Sequence, residues 1–136
     1  MIKVEFLEKE EDFEILLPFI KAFAERAKVP FWQQLNEVSA TFLNPEILVI
    51  LGKREGKIIG YLCGMQFSGK EFMVTQIFSP LKETTSAMLN FMEEEVGKRG
   101  MVKVFGLSKH NPRIFEPYGF KIERYLISKD LKKEEE

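Results

Sequence analysis

Apolar and charged residues alternate through Ile2-Lys3-Val4-Glu5-Phe6-Leu7, the period of a strand with one buried face. The acidic stretch from Glu8 to Asp12 leads into a helix, because carboxylates are favoured in a first turn. Phe13, Leu16, Leu17, Ile20, Phe23 and Ala27 then recur at helical spacing. Pro18 lies inside this pattern and predicts a kink or a division, since proline removes a hydrogen bond to the preceding turn. Pro30 opens a second helix, with Leu35, Val38 and Phe42 on its apolar face, and Asn44-Pro45 closes it.

Three strands follow. Ile47 to Leu51 is a continuous apolar run of strand length, and Arg54-Glu55-Gly56-Lys57 reads as a hairpin turn. Ile58 to Phe67 returns as the second strand, Ser68-Gly69-Lys70 turns again, and Glu71 to Phe78 forms the third. From Pro80 to Arg99 the period lengthens to that of a helix. Its stripe of Leu81, Met88, Leu89, Met92 and Val96 should face the sheet, with Glu94 and Lys98 in water. Val102 to Leu107 is another strand, Asn111 to Tyr118 a short helix, and Phe120 to Ser128 a final strand. The order βααβββαβαβ predicts one α/β (α+β) domain over residues 1–128, followed by a charged tail over 129–136. Its sheet should be mixed and mainly antiparallel, with helices on both faces. The helix between residues 71–78 and 102–107 makes those two strands a parallel pair if they are neighbours. The start of that crossover helix is then a natural place for a phosphate-bearing ligand.

Composition narrows the function. In 136 residues, 20 lysines and arginines offset 21 aspartates and glutamates for a net charge of −1, which argues against a dedicated binder of nucleic acid or anionic membranes. No apolar run reaches the length of a membrane span. With a single cysteine, Cys63, and a single histidine, His110, an intramolecular disulfide, a four-thiolate zinc site and histidine-rich metal sites are excluded by counting. A reducing, cytoplasmic setting is the default. Cys63 falls in a central strand, where a thiol acts as a small buried hydrophobe. His110 falls in a loop and reads as a surface residue.

Near the carboxyl end, Ile114-Phe115-Glu116-Pro117-Tyr118-Gly119-Phe120 follows Phe105-Gly106-Leu107-Ser108-Lys109-His110-Asn111, with Phe78-Ser79-Pro80 upstream. These three stretches resemble the GNAT family of N-acetyltransferases. The first is similar to the family's apolar-Tyr-Glu-x-x-Gly-Phe ending of its last helix. The second resembles the strand and asparagine before that helix, and the third the exit from the fourth strand. The resemblance implies the acyl-CoA N-acyltransferase-like fold and acetyl-CoA as co-substrate, bound at the parallel strand pair. It also implies transfer of an acetyl group to an amine on a small molecule or a protein.

Carried over residue by residue, the resemblance places backbone N–H groups of Ile77 and Phe78, at a bulge of the fourth strand, beside the thioester. It places Lys82, Thr84, Thr85 and Ser86 near the coenzyme phosphates, with Asn111 and Phe115 lining the coenzyme site. Thr84, Thr85 and Ser86 are also ordinary helix-capping residues, and a cap alone and a cap that cradles phosphate both stay open. Glu71 and Gln76 are the polar residues of the fourth strand to inspect for base chemistry. Glu71 equally suits a solvated strand end, and Gln76, which cannot be a base, suits holding a water. Three departures stand out. The coenzyme segment Ser79 to Ala87 contains no glycine, although glycine eases close backbone approach to a pyrophosphate. Phe115 stands where the family often has a tyrosine that protonates the leaving thiolate. The spacing from Asn111 to Gly119 is about one helical turn shorter than is typical. Tyr118 carries the nearest hydroxyl and is the candidate acid, or it is a packing residue beside Gly119.

Phe31 and Trp32 either pack in the core or line an acceptor pocket. Two functions remain: an acetyl-CoA-dependent N-acetyltransferase, or a non-catalytic acetyltransferase-like module that binds a ligand or a protein. Homodimerisation through an apolar surface, given 13 phenylalanines, is compatible with either.

Overall fold

The amino-terminal alternation builds strand β1 (Ile2–Phe6), and the acidic run enters helix α1 (Glu10–Ala27). Glu10, Glu11 and Asp12 occupy its first turn. The computed structural model describes residues 1–106, 112–123 and 129–130. Pro18 does not divide α1, contrary to its position in the pattern, and one helix runs through it. Pro18 and Glu14, whose carbonyl loses its partner to the proline ring, are both exposed, so water can satisfy the orphaned oxygen.

Helix α2 (Phe31–Ser39) begins after Pro30 and tightens into a 3-10 turn over Ala40–Phe42. The side chain of Asn44 accepts from the Glu46 N–H at 2.9 Å, an Asx turn that ends the helical segment. Strands β2 (Ile47–Arg54) and β3 (Lys57–Gln66) form a hairpin. Glu55 and Gly56 hold φ of 52° and 78°, the two positive angles that a two-residue turn of the right twist requires. Strand β4 (Glu71–Phe78) completes a meander, helix α3 (Lys82–Lys98) crosses over, and β5 (Lys103–Gly106) follows.

The sheet order is β1-β2-β3-β4-β5. The first four strands pair antiparallel, and β4 pairs parallel with β5 from Glu71↔Lys103 to Val74↔Gly106. This is the mixed sheet and parallel pair expected from the element order. A 3-10 helix spans Pro112–Tyr118, and Gly119 leaves it at φ 89°. Phe120 to Glu123, expected as the start of a last strand, lack regular structure. Residues 124–128 of that strand, residues 131–136 of the tail, and His110 and Asn111 lie outside the described residues.

Alternation along the strands divides the core in two. Leu16 and Ile20 of α1 and Val38 of α2 pack on Val49, Leu51, Tyr61 and Cys63. Met88, Leu89, Met92 and Val96 of α3 pack on Leu48, Ile50, Leu62 and Phe72. Glu94 and Lys98 face solvent and lie 3.8 Å apart. Leu81 leaves the expected stripe. It is the residue before the first helical turn and is 37% exposed. Thr84 takes the sheet-facing place instead. Its Cγ2 lies 2.6 Å from where a Cβ on Gly52 would sit, so only a glycine lets α3 approach β2 this closely. Among the described residues no helix is long and apolar enough to cross a membrane.

Candidate active site

Phe72 and Val74 of β4 pack on the α3 side of the sheet, and strict alternation would send Gln76 there too. It does not go. The register jumps from Gly64↔Val74 to Cys63↔Gln76, which leaves Thr75 as an extra residue, a β-bulge. Beyond the bulge Ile77 takes the α3 side and Phe78 the α1 side. Thr75 and Gln76 both turn toward α2.

There they meet Glu37. The Thr75 hydroxyl donates to Glu37 Oε1, and Gln76 Nε2 donates to the same oxygen at 2.9 Å. The Cys63 thiol lies 3.5 Å from it. Gln76 Nε2 also donates to the Gln34 carbonyl at 3.2 Å, and Gln76 Oε1 accepts from the Tyr61 hydroxyl at 2.8 Å. Tyr61, Cys63 and Gln76 are buried, and Glu37 is half-buried. Burial, reinforced by the charge of Glu37, pushes the Cys63 thiol well above its ordinary range. Burial likewise pushes the Tyr61 hydroxyl far up. Both groups therefore stay protonated and act as donors. Glu37 Oε2 takes no hydrogen bond from a described residue and is not sealed from solvent. One carboxylate oxygen is saturated, and the other is open.

Glu37 is the site residue that sequence reasoning missed. Its signal was faint: Gln34 and Glu37 each precede a residue of the apolar stripe formed by Leu35 and Val38, so they border the buried face of α2.

On the other side of the bulge, pairing with β5 ends at Val74↔Gly106. Thr75 to Phe78 have no partner in β5 among the described residues, so the backbone of Ile77 and Phe78 borders an unpaired strand edge. The chain then reaches α3. Leu81 precedes the first turn in extended conformation with no side-chain cap, so the N–H groups of Lys82, Glu83 and Thr84 remain uncapped among the described residues. The cap expected of Thr84, Thr85 and Ser86 is absent because the helix starts before them. Lys82 is exposed and Ser86 half-buried. The Thr85 hydroxyl bonds back to the Leu81 carbonyl at 3.2 Å. Thr84 is fully buried, and its Oγ1 has no partner among the described residues.

Other expected residues sit apart. Glu71 accepts from the Ser68 hydroxyl at 3.2 Å in the β3–β4 turn. Five residues upstream of Gln76, it lies about 16 Å away along the strand. Tyr118 packs on the α3-side cluster that also takes Val74 and Ile77. Phe115 meets Phe120 edge to face with centroids 6.1 Å apart. Trp32, for which core packing was one expectation, is 60% exposed. Asn111 lies outside the described residues.

No protein-family model and no curated protein matches the chain. Solved structures do. An aminoglycoside N-acetyltransferase in complex with CoA superposes with a TM-score of 0.75 over 96% of this chain and 95% of its own, at 11% identity. A predicted acetyltransferase of Clostridium acetobutylicum with acetyl-CoA gives 0.73 over 96% of each chain, at 13% identity. A ribosomal-protein-alanine N-acetyltransferase of Brucella melitensis biovar Abortus gives 0.71 over 94% and 99%, at 13% identity. The chain has the acyl-CoA N-acyltransferase-like fold of the GNAT proteins.

Proposed function

We propose that the protein is an acetyl-CoA-dependent N-acetyltransferase in which Glu37 takes the proton from the amine acceptor. The observation that carries this reading is the meeting of the Glu37 carboxylate with the β4 bulge, just past the point where pairing with β5 ends among the described residues. An ammonium has no lone pair and cannot attack a thioester. Glu37 Oε2, left open while Oε1 is held, accepts that proton. The freed nitrogen forms a bond to the acetyl carbonyl carbon, the bond from that carbon to the coenzyme sulfur breaks with the electrons leaving on sulfur, and the nitrogen sheds its second proton to water to leave the neutral amide.

Two features fit acetyl-CoA. The uncapped N–H groups of Lys82, Glu83 and Thr84 and the α3 dipole suit a diphosphate, with Lys82, Thr85 and Ser86 on the same turn. The backbone N–H groups of Ile77 and Phe78 are candidates to polarise the acetyl carbonyl. The fold is also that of solved structures holding CoA and acetyl-CoA. A thiol with a pKa of about 8.5 is a fair leaving group even unassisted, so Phe115 does not forbid the reaction. Tyr118 or water supplies the proton.

The test is calorimetric titration with acetyl-CoA, followed by thiol release over a panel of primary amines. Heat of binding and turnover that falls about 10² to 10⁴-fold in Glu37→Gln, with coenzyme affinity kept, are expected. Absence of heat at high micromolar coenzyme overturns the reading. The glycine-free segment Ser79 to Ala87 and Phe115 favour a second reading, a non-catalytic acetyltransferase-like module. Binding without turnover on any amine would select it.

A further inference from the structure

Gln76 is a polar residue in the middle of the sheet, 1% exposed, where an apolar side chain of the same volume would cost no desolvation. Every hydrogen-bonding group it owns is used. Its two amide hydrogens go to Glu37 Oε1 at 2.9 Å and the Gln34 carbonyl at 3.2 Å, and its oxygen takes the Tyr61 hydroxyl at 2.8 Å. Turning the amide over would set its oxygen against a carboxylate and a carbonyl, two acceptors facing an acceptor. One orientation is therefore allowed, and Tyr61, fully buried in β3, locks it. The array runs from the core at Tyr61 through Gln76 to a single carboxylate oxygen. Thr75, placed by the bulge, and Cys63, the register partner of Gln76, reach that same oxygen.

Resting on the acetyltransferase reading above, we propose that Gln76 is a positioning residue: pinned by Tyr61, it holds Glu37 by Oε1 and so presents Oε2 to the acceptor amine. Gln76 itself has almost no accessible surface and acts through Glu37. A misplacement of a reacting group by about 1 Å can cost about 10²-fold in rate, so the hold on one carboxylate oxygen matters to turnover.

The experiment is a double-mutant cycle on kcat, with acetyl-CoA and the best amine of the panel, using Gln76→Met, Tyr61→Phe and Glu37→Gln singly and paired. Gln76→Met is expected to lower kcat by about 10- to 100-fold with the KM for acetyl-CoA unchanged, and Tyr61→Phe to lower it less. Neither should cost anything further in a Glu37→Gln background, because a residue that acts through Glu37 has nothing left to position. A purely structural role would lower kcat by the same factor in both backgrounds. Losses that multiply, or a Gln76→Met enzyme as fast as the wild type, overturn the proposal and leave the acetyltransferase reading standing. Absence of wild-type turnover on every amine overturns both. Should Gln76→Met fail to fold, Tyr61→Phe, which deletes one hydroxyl, decides the question by the same cycle.

Discussion

Thr75 and Gln76 are consecutive residues of β4, yet both donate to the same oxygen of Glu37. Regular strand geometry forbids this, because successive side chains leave opposite faces of the sheet. The bulge at Thr75 resets the alternation by one residue, and two polar side chains reach one carboxylate while Val74 and Ile77 stay in the core on the far face. A single extra residue thus creates the polar side of the site.

The bulge is testable by stability. Thr75→Val keeps the shape and loses a charge-assisted hydrogen bond, which should cost about 1–3 kcal/mol in urea denaturation. Deleting Thr75 should cost about as much, because it removes the same hydrogen bond and leaves the β3–β4 pairs in place. Val74 and Gln76 become consecutive and already pair with the consecutive Gly64 and Cys63, so Gln76 keeps the α2 side by regular alternation. A deletion variant far less stable than Thr75→Val would show that the β3–β4 register depends on the extra residue.

Alkaline pH should destabilise the protein. Burial holds the proton on Cys63, whereas the unfolded thiol loses it above about pH 8.5. The unfolded state then binds fewer protons than the folded one, so stability falls as pH rises, by about 1.4 kcal/mol per pH unit. Tyr61, also held protonated, adds to the loss above about pH 10. Urea denaturation between pH 7 and pH 10 should show the decline, and Cys63→Ala should delay its onset to the range of Tyr61. A flat profile for the wild type would contradict the assignment.

Gly52 and Thr84 should be coupled. Gly52→Ala places a methyl 2.6 Å from Thr84 Cγ2, an overpacking worth about 1–3 kcal/mol. Thr84→Ser removes the opposing methyl and should return part of that loss in the double variant. Thr84→Val should raise stability by about 1 kcal/mol, because it removes a buried hydroxyl that has no partner among the described residues. Thermal unfolding of the four variants checks both statements, and strict additivity would refute the coupling.

Tyr118→Phe examines the leaving group. If Tyr118 is the acid, kcat falls about 10² to 10⁴-fold with coenzyme affinity kept. Unchanged kcat assigns that proton to water.

The architecture was legible in the chain because its causes are local. Alternation in Ile2 to Leu7, the Glu55-Gly56 turn and the stripe through Met88, Leu89, Met92 and Val96 each report on a few neighbouring residues. Together they predicted the meander, the crossover helix and the β4–β5 parallel pair. The same local rules mis-set details that neighbours in space decide. Pro18 is carried inside α1 because the carbonyl it leaves without a partner belongs to Glu14, an exposed residue. Leu81 stops short of the core because α3 begins at Lys82, and Thr84 turns inward because Gly52 leaves room. Glu71 sits at the β3–β4 turn, away from the Glu37 cluster. Glu37 was out of reach of any local pattern. Its partners stand on β3 and β4, and one of them is presented only through a bulge, a mismatch between two strands that neither strand encodes alone. Short-range periodicity sets which residues become helix and strand, whereas the meeting of a carboxylate with its donors depends on how those elements pack.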